Sequence, residues 1–301
     1  MRLVWALALV VGSACASRDS AFHKPLSVPP DAVEPAQLIE AGAEPRRPLR
    51  YRAEPPPSKN IQLELTTGVL AMRRQQQDAE IESLVPPLAM VVQLAAAGVR
   101  DGAASYAFRL ADLEIVPVPT DADGRALRQH LRVELGSGGH VSFDTRGRWH
   151  EFEISDPLGF RASVFQRWMM HSLAEALEQL AVPLPEEPVG AGAIWTWAVV
   201  RSRGGFEIRR SFTARLVSLQ GDRGRVDLNI VATARSLGEA AREVTEIKSQ
   251  GTGSADFYLG CPIALPIEIR EGVAVHEASA RGAPTNEFVT VFFSGLVARA
   301  R

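Results

Sequence analysis

Cysteine is scarce in this sequence, which has two cysteines, Cys15 and Cys261, among 301 residues. Cys15 ends an N-terminal apolar segment, so a fold that follows this segment has one internal cysteine and no internal disulfide bond. Cys261 lies beside Pro262 in an apolar run, and the sequence identifies no histidine base for it. We therefore expect Cys261 to be a small buried hydrophobic residue rather than a catalytic thiol.

An excess of positive charge is also lacking. The net charge is −2, the isoelectric point is near 6.3, and nearly all basic residues are arginines. Binding to nucleic acid requires many Lys and Arg side chains to neutralise phosphates, so we predict that nucleic acid is not a partner. At 46% hydrophobic residues, the chain is long enough for one large domain or two small ones with an ordinary core.

Complete catalytic and metal-binding motifs are missing as well. His150-Glu151 and His276-Glu277 each begin like a zinc-protease motif, but Ile154 and Ala280 replace the second histidine. The segment 190–192 (GAG) lacks the third glycine of a dinucleotide loop. We predict no catalytic residue, no cofactor and no metal site, and a secreted hydrolase with a dispersed site stays as an alternative.

Residues 1–15 have the features of a signal peptide. Arg2 precedes an apolar run from Leu3 to Val11, which is too short to span a bilayer as a helix. The residues Gly-Ser-Ala that end in Cys15 resemble the lipobox of bacterial lipoproteins, in which the cysteine is lipidated and becomes the new N-terminus. This resemblance implies an exported protein that is lipid-anchored in the cell envelope, at the outer membrane. Ordinary cleavage before Ser17, which would release a soluble secreted protein, is the alternative.

Residues 16–47 are rich in Pro, Ala and Glu and lack a sustained apolar period, which predicts a disordered tether. From Leu49 onward, apolar residues alternate with polar ones, and this alternation predicts strands in a first β half, 48–160, and a second, 183–301. Hairpin turns are expected near residues 98–102, 146–147, 221–224 and 271–272.

The one long segment with helical period lies between these halves, and it predicts a central amphipathic helix over 161–182. Glu175 and Glu178 fall on its polar face, which we expect to face solvent. Its apolar face must lie on a large hydrophobic surface and is a candidate apolar ligand surface, made by Phe165, Trp168, Met169, Leu173 and Leu177.

Similar spacing of hairpins before and after the helix indicates that the halves are copies of one plan. The expected fold is mainly β (α+β): a curved antiparallel sheet or half-barrel made of two similar halves and closed by the central helix. The segment 188–195 (PVGAGAIW) resembles a turn at the start of the second half of certain secreted bacterial lipoproteins of unknown activity. Their plan is similar to the LolA/LppX-type half-barrel of periplasmic lipoprotein and lipid carriers.

These lipoproteins have no established activity to transfer, and our interpretation is a non-enzymatic envelope lipoprotein that binds a lipid, another hydrophobic ligand or a protein partner in its concave sheet. The membrane is then a partner through the N-terminal anchor. A purely structural role in the envelope is the alternative. An open apolar pocket under the helix would favour the carrier, and a filled one would favour the structural role.

Overall fold

A computed structural model of the protein describes residues 26–27, 33–52, 61–75, 78–115, 138–155, 172–203, 206–236, 242–279 and 286–300. Thirteen strands and one helix lie in this part of the chain. The strands are β1 Leu26–Ser27, β2 Gln37–Glu40, β3 Ile61–Gln75, β4 Asp78–Arg100, β5 Ala103–Ile115, β6 Gly138–Phe143, β7 Trp149–Ser155, β8 Ile194–Arg203, β9 Phe206–Gln220, β10 Arg223–Ser236, β11 Arg242–Tyr258, β12 Ile267–Ser279 and β13 Asn286–Ala300. The helix, α1, spans 172–178. None of the described residues form a helix with the length and hydropathy that a membrane crossing requires.

All strands belong to one antiparallel sheet in the order β1-β7-β6-β5-β4-β3-β13-β12-β11-β10-β9-β8-β2. Strands β3 to β7 form one meander and strands β8 to β13 form another. The first strand of one meander pairs with the last strand of the other, over the whole register from Ile61↔Ala300 to Gln75↔Asn286. The two meanders are therefore one continuous sheet, and the chain passes from β7 to β8 between opposite ends of it. This confirms the prediction of a mainly β protein with a curved antiparallel sheet.

Alternation of apolar and polar residues fixes which face of each strand is buried. On β9, Phe206, Ile208, Phe212, Ala214 and Leu216 are all buried, and the residues of the opposite parity are more exposed. Because side chains on a strand point alternately to opposite faces, these residues mark the concave face of the sheet. The predicted turns at 101–102, 146–147 and 221–222 are confirmed between their strands.

Two local predictions in the β halves are wrong. The expected turn at Glu271-Gly272 does not exist, because β12 runs through it without a break and Glu271 is buried. Leu49 and Tyr51 are buried as the pattern implies, but they lie in an irregular segment and not in a strand. The amide of Tyr51 donates to the Thr145 carbonyl at 2.9 Å, so this segment packs against the β6–β7 turn.

The predicted tether is wrong over residues 33–47. Here β2 pairs with β8 in the register Leu38↔Trp195, and Arg47 forms an antiparallel bridge with Val189. Further upstream, Leu26 pairs with Ile154 of β7. The segment thus contributes a strand to each end of the sheet. Residues 16–25 and 28–32 of the predicted tether lie outside the described residues.

Helix α1 ends at residue 178, earlier than the predicted end at 182. The residues that follow α1 form backbone contacts with the segment around Ile263 instead of continuing the helix. Ala181 forms a β-bridge with Ile263, and the Ala264 amide donates to the Leu180 carbonyl at 2.8 Å. Residues 161–171 of the predicted helix lie outside the described residues. The expectation of a solvent-facing polar side is also wrong, because Glu175 is only 7% exposed.

The main core lies between the concave face and the segment 173–184. It contains residues from both meanders, including Leu63 and Met90 from one and Trp195 and Phe212 from the other. Cys261 belongs to this core, as predicted, and its sulfur lies 3.1 Å from the Tyr106 hydroxyl. Burial raises the pKa of Cys261, which keeps it a thiol.

A second, smaller cluster lies farther along the strands. Its buried members are Phe206, Ile208, Ala232, Val273 and Val275.

Candidate functional site

Strands β7 and β8 approach each other at the open side of the curved sheet, and we call the gap between them the seam. They are not paired with each other in the described residues. Side chains cross the seam instead: the Arg201 guanidinium of β8 lies 5.5 Å from the ring centroid of Trp149 on β7. Such a cation–π contact gives a modest attraction between the two strands.

Segment 173–184 fills the concave face behind the seam. Leu173 and Leu177, two residues of the predicted ligand surface, are at most 1% exposed and belong to the main core. The other three, Phe165, Trp168 and Met169, lie outside the described residues. At the end of the segment, the Trp195 indole nitrogen donates to the Pro183 carbonyl at 2.8 Å, which fixes the connection into β8.

Five charged side chains from four elements form a buried ion cluster on this face. Glu178 of α1 pairs with Arg201, and Glu175 lies 3.2 Å from Arg210 of β9. On the opposite side, Arg210 Nε lies 2.9 Å from Glu271 Oε1 of β12, without the alignment of a hydrogen bond. Two guanidinium groups thus face three carboxyl groups, and the cluster joins α1 to the second meander.

The environment of the ion cluster changes the proton affinities of its members. Burial raises the pKa of Glu178 above its ordinary value, and the opposing charge of Arg201 only partly offsets this effect. Burial alone would lower the pKa of Arg210, but the carboxylates of Glu175 and Glu271 raise it, so Arg210 stays charged. Glu178 therefore binds its proton more strongly than an ordinary glutamate does.

The sheet register makes room for the cluster between the two apolar clusters. Glu271 pairs with Gly251 on β11. A Cβ atom at Gly251 would lie 3.3 Å from Glu271 Cγ and 2.8 Å from Ile230 Cβ, so glycine leaves space for the carboxylate. Val273, two residues farther along β12, already belongs to the second apolar cluster. The ion cluster is thus a polar layer across an otherwise apolar concave face.

A narrow pocket lies under the seam. Its apolar wall includes Val33, Trp197, Val199 and Phe212, and the rings of Trp197 and Phe212 are stacked with centroids 5.0 Å apart. At its polar end lie Glu178 and Arg210 of the ion cluster. The cavity volume is about 20 Å³, which is room for a water molecule and far less than an acyl chain requires.

Residues 33–40, which we call the strap, cover this pocket along the edge of β8 that faces away from β9. Val33 forms an antiparallel bridge with Val199, and the Glu34 amide donates to the Ala198 carbonyl at 2.8 Å. The Glu34 carboxylate accepts two hydrogen bonds from Arg209, one of them at 2.6 Å. These hydrogen bonds hold the pKa of Glu34 below its ordinary value.

Sequence reasoning missed the ion cluster although the strands carried a signal for it. Arg210 has the same parity as the buried apolar residues of β9, and Glu271 has the same parity as those of β12. Arg201 likewise follows Trp195, Trp197 and Val199 in steps of two. A charged residue at a position where the strand pattern requires an apolar one indicates a buried ion pair.

The described residues contain no group of three or more His, Cys, Asp or Glu side chains that could hold a metal ion. No protein-family model matches the sequence, and no curated protein is significantly similar to it.

Proposed function

We propose that this chain is a non-enzymatic lipoprotein of the bacterial cell envelope whose concave sheet receives a lipid or another apolar ligand. The observation that carries the proposal is the pocket under the seam, which combines an apolar wall with a buried polar end. A lipid has the same two parts, an acyl chain and a polar head. Ligand sites of this kind are typically concave and mostly apolar, with a few converging polar groups.

The membrane anchor in this proposal is a lipid on Cys15. Between Cys15 and Leu26, where β1 begins, residues 16–25 can span at most about 35 Å even when fully extended. A lipid at Cys15 would thus keep the β1–β7 end of the sheet close to the membrane. Labelled palmitate should enter the wild type and not Cys15→Ala, and equal labelling of both would exclude the anchor. A product that starts at Ser17 would establish ordinary cleavage instead.

Two finer points of architecture belong to the same proposal. We infer that the halves are duplicates in the manner of the LolA/LppX-type half-barrel, supported by the two meanders on either side of α1. One of the sequence arguments for duplication, the hairpin at 271–272, does not hold. We also infer that the central helix begins near residue 161. If so, Trp168→Ala should cost about 3–5 kcal/mol in denaturant unfolding, and a negligible loss would contradict it.

Native mass spectrometry of the protein purified from its own envelope tests the ligand directly. A lipid that co-purifies in the wild type should be lost or reduced when Phe212, in the pocket wall, is replaced by Trp. Val217→Trp is the control, because it places the same large side chain at an exposed position on the same strand. Absence of any lipid, or equal lipid in both variants, would contradict a ligand in this pocket.

A purely structural role is the second candidate, and the size of the cavity favours it. The pocket has a volume of only about 20 Å³, so protein side chains fill the concave face in this structure. A ligand therefore requires the interior to open, and a structural protein does not. The same mass spectrometry separates the two functions, since a structural protein would carry no lipid besides the covalent anchor.

A further inference from the structure

The strap is the part of the fold that can open the pocket. It lies on the outer edge of the sheet, where β2 has one strand neighbour, β8, in the described residues. Its side chains are mostly half-buried or exposed, including Ile39 at 60%. Segments with few buried contacts and exposed hydrogen bonds open at a lower free energy than the core does.

What holds the strap at its N-terminal end is a small set of polar contacts, together with partly buried apolar side chains such as Val33 that pack against the main core. The Arg209–Glu34 pair is 43% and 40% exposed, so solvent screens it, and its contribution to stability is modest. One backbone hydrogen bond to Ala198 and the Val33–Val199 bridge complete this end. Removing these contacts would expose the pocket wall at Val199 and Trp197 without disturbing the paired interior of the sheet.

We propose that the strap is a gate: release of residues 33–40 from β8 and β9 opens the seam and admits one acyl chain to the pocket under Val33. This inference rests on the proposed function for the identity of the ligand. The apolar wall receives the chain, and the polar end at Glu178 and Arg210 limits how far it can enter.

A disulfide that locks the strap tests the gate. Val33 and Val199 are directly opposite in an antiparallel bridge, so V33C/V199C places two thiols within reach of a disulfide. The probe is a pyrene-labelled fatty acid, and the readout is its rate of uptake by stopped-flow fluorescence. The oxidised protein should take up the probe at least tenfold more slowly than the same protein after reduction. Equal rates would overturn the gate.

A second measurement reads the gate without any ligand. Glu34→Gln weakens the pair with Arg209, and Glu207→Gln is the matched control, because Glu207 makes the same two-pronged pair with Arg235 inside the sheet. Hydrogen exchange followed by mass spectrometry should become several-fold faster over 33–40 and 194–203 in Glu34→Gln only. Unchanged exchange there, or equal changes in both variants, would overturn the gate.

The two measurements separate the gate from the proposed function. If the wild type and the reduced V33C/V199C protein both fail to take up the fatty acid, the apolar ligand is wrong. Hydrogen exchange alone then tests whether the strap opens. Faster exchange in Glu34→Gln would support an opening strap, and unchanged exchange would exclude it.

Discussion

Arg210 is the residue on which the ion cluster depends, because it contacts carboxylates of both α1 and β12. Replacing it by Met would keep much of the volume but leave Glu175 and Glu271 buried without this partner. Breaking a buried ion pair by removing one partner costs about 3–5 kcal/mol. We therefore expect Arg210→Met to lower the free energy of unfolding by about that amount in denaturant titrations.

Arg215→Met is the matched control, since Arg215 lies on the same strand with its side chain exposed. It should change the free energy of unfolding by about 0.5 kcal/mol or less. Similar small losses in both variants would show that the cluster is open to water and contributes little to the stability.

Glu178 makes a separate prediction about pH. Its pKa in the folded protein lies above the ordinary value of 4.5, so the folded state keeps this proton at pH values where the unfolded state has lost it. In that window the stability falls as pH rises, and above the raised pKa this contribution is flat.

Glu178→Gln removes the carboxyl group that binds this proton. From pH 4.5 up to the raised pKa, the wild type should lose stability relative to Glu178→Gln with rising pH, as measured by denaturant unfolding at each pH. A wild type that gains stability relative to the variant over this range would show that Arg201 holds Glu178 ionised.

The burial of these charges could not be read from the helix alone. Glu175 and Glu178 are spaced as the exposed side of an amphipathic helix usually is, and helix periodicity carries no information on what packs against that side. Their partners, Arg201 and Arg210, come from two strands that follow the helix, β8 and β9. The strand pattern does predict that Arg210 and Glu271 are buried, because each lies in step with the buried apolar residues of its strand. It does not predict which charged side chain each one contacts.

At the scale of elements, the strap and the segment after it are part of the fold. They make ladder contacts with β8 and several further backbone hydrogen bonds, such as those in both directions between Arg47 and Val189 at 3.0 and 2.9 Å. At about 1 kcal/mol for each net hydrogen bond, their loss should cost roughly 5 kcal/mol. We expect a chain that starts at Pro48 to melt well below one that starts at Leu26.

The chain that starts at Leu26 is the control, because it keeps the pairing of both β1 and β2. Differential scanning fluorimetry of the two chains and the full-length protein gives the comparison. Melting of the Pro48 chain within a few degrees of the Leu26 chain would mean that the strap is only loosely attached and adds little stability.

The composition of this segment predicts a tether because an edge strand leaves little trace in composition. Its attachment uses backbone donors and acceptors, which every residue except proline possesses, and needs no alternating apolar residues. The long strands were predictable for the opposite reason. On β9, for example, one face is buried over most of the strand, and burial on a single face imposes alternation.

At the scale of the whole molecule, the least predictable feature is the pairing of β3 with β13. These strands are far apart in the sequence, and alternation tells only that each has a buried face, not which neighbour it has. Their pairing joins the two meanders, and the main core takes residues from both. The two meanders are thus separate segments of the sequence, but they share one core.

A single core predicts a single unfolding transition. Phe143 of β6 and Trp195 of β8 are both fully buried in that core, one in each meander. Replacing either by Ala should cost about 3–5 kcal/mol. Because the core is shared, each variant should lower the same transition in differential scanning calorimetry, with calorimetric and van't Hoff enthalpies that agree. If the halves were independent domains, each substitution would split the trace and lower only the transition of its own half, and the continuous sheet would then not act as one cooperative unit.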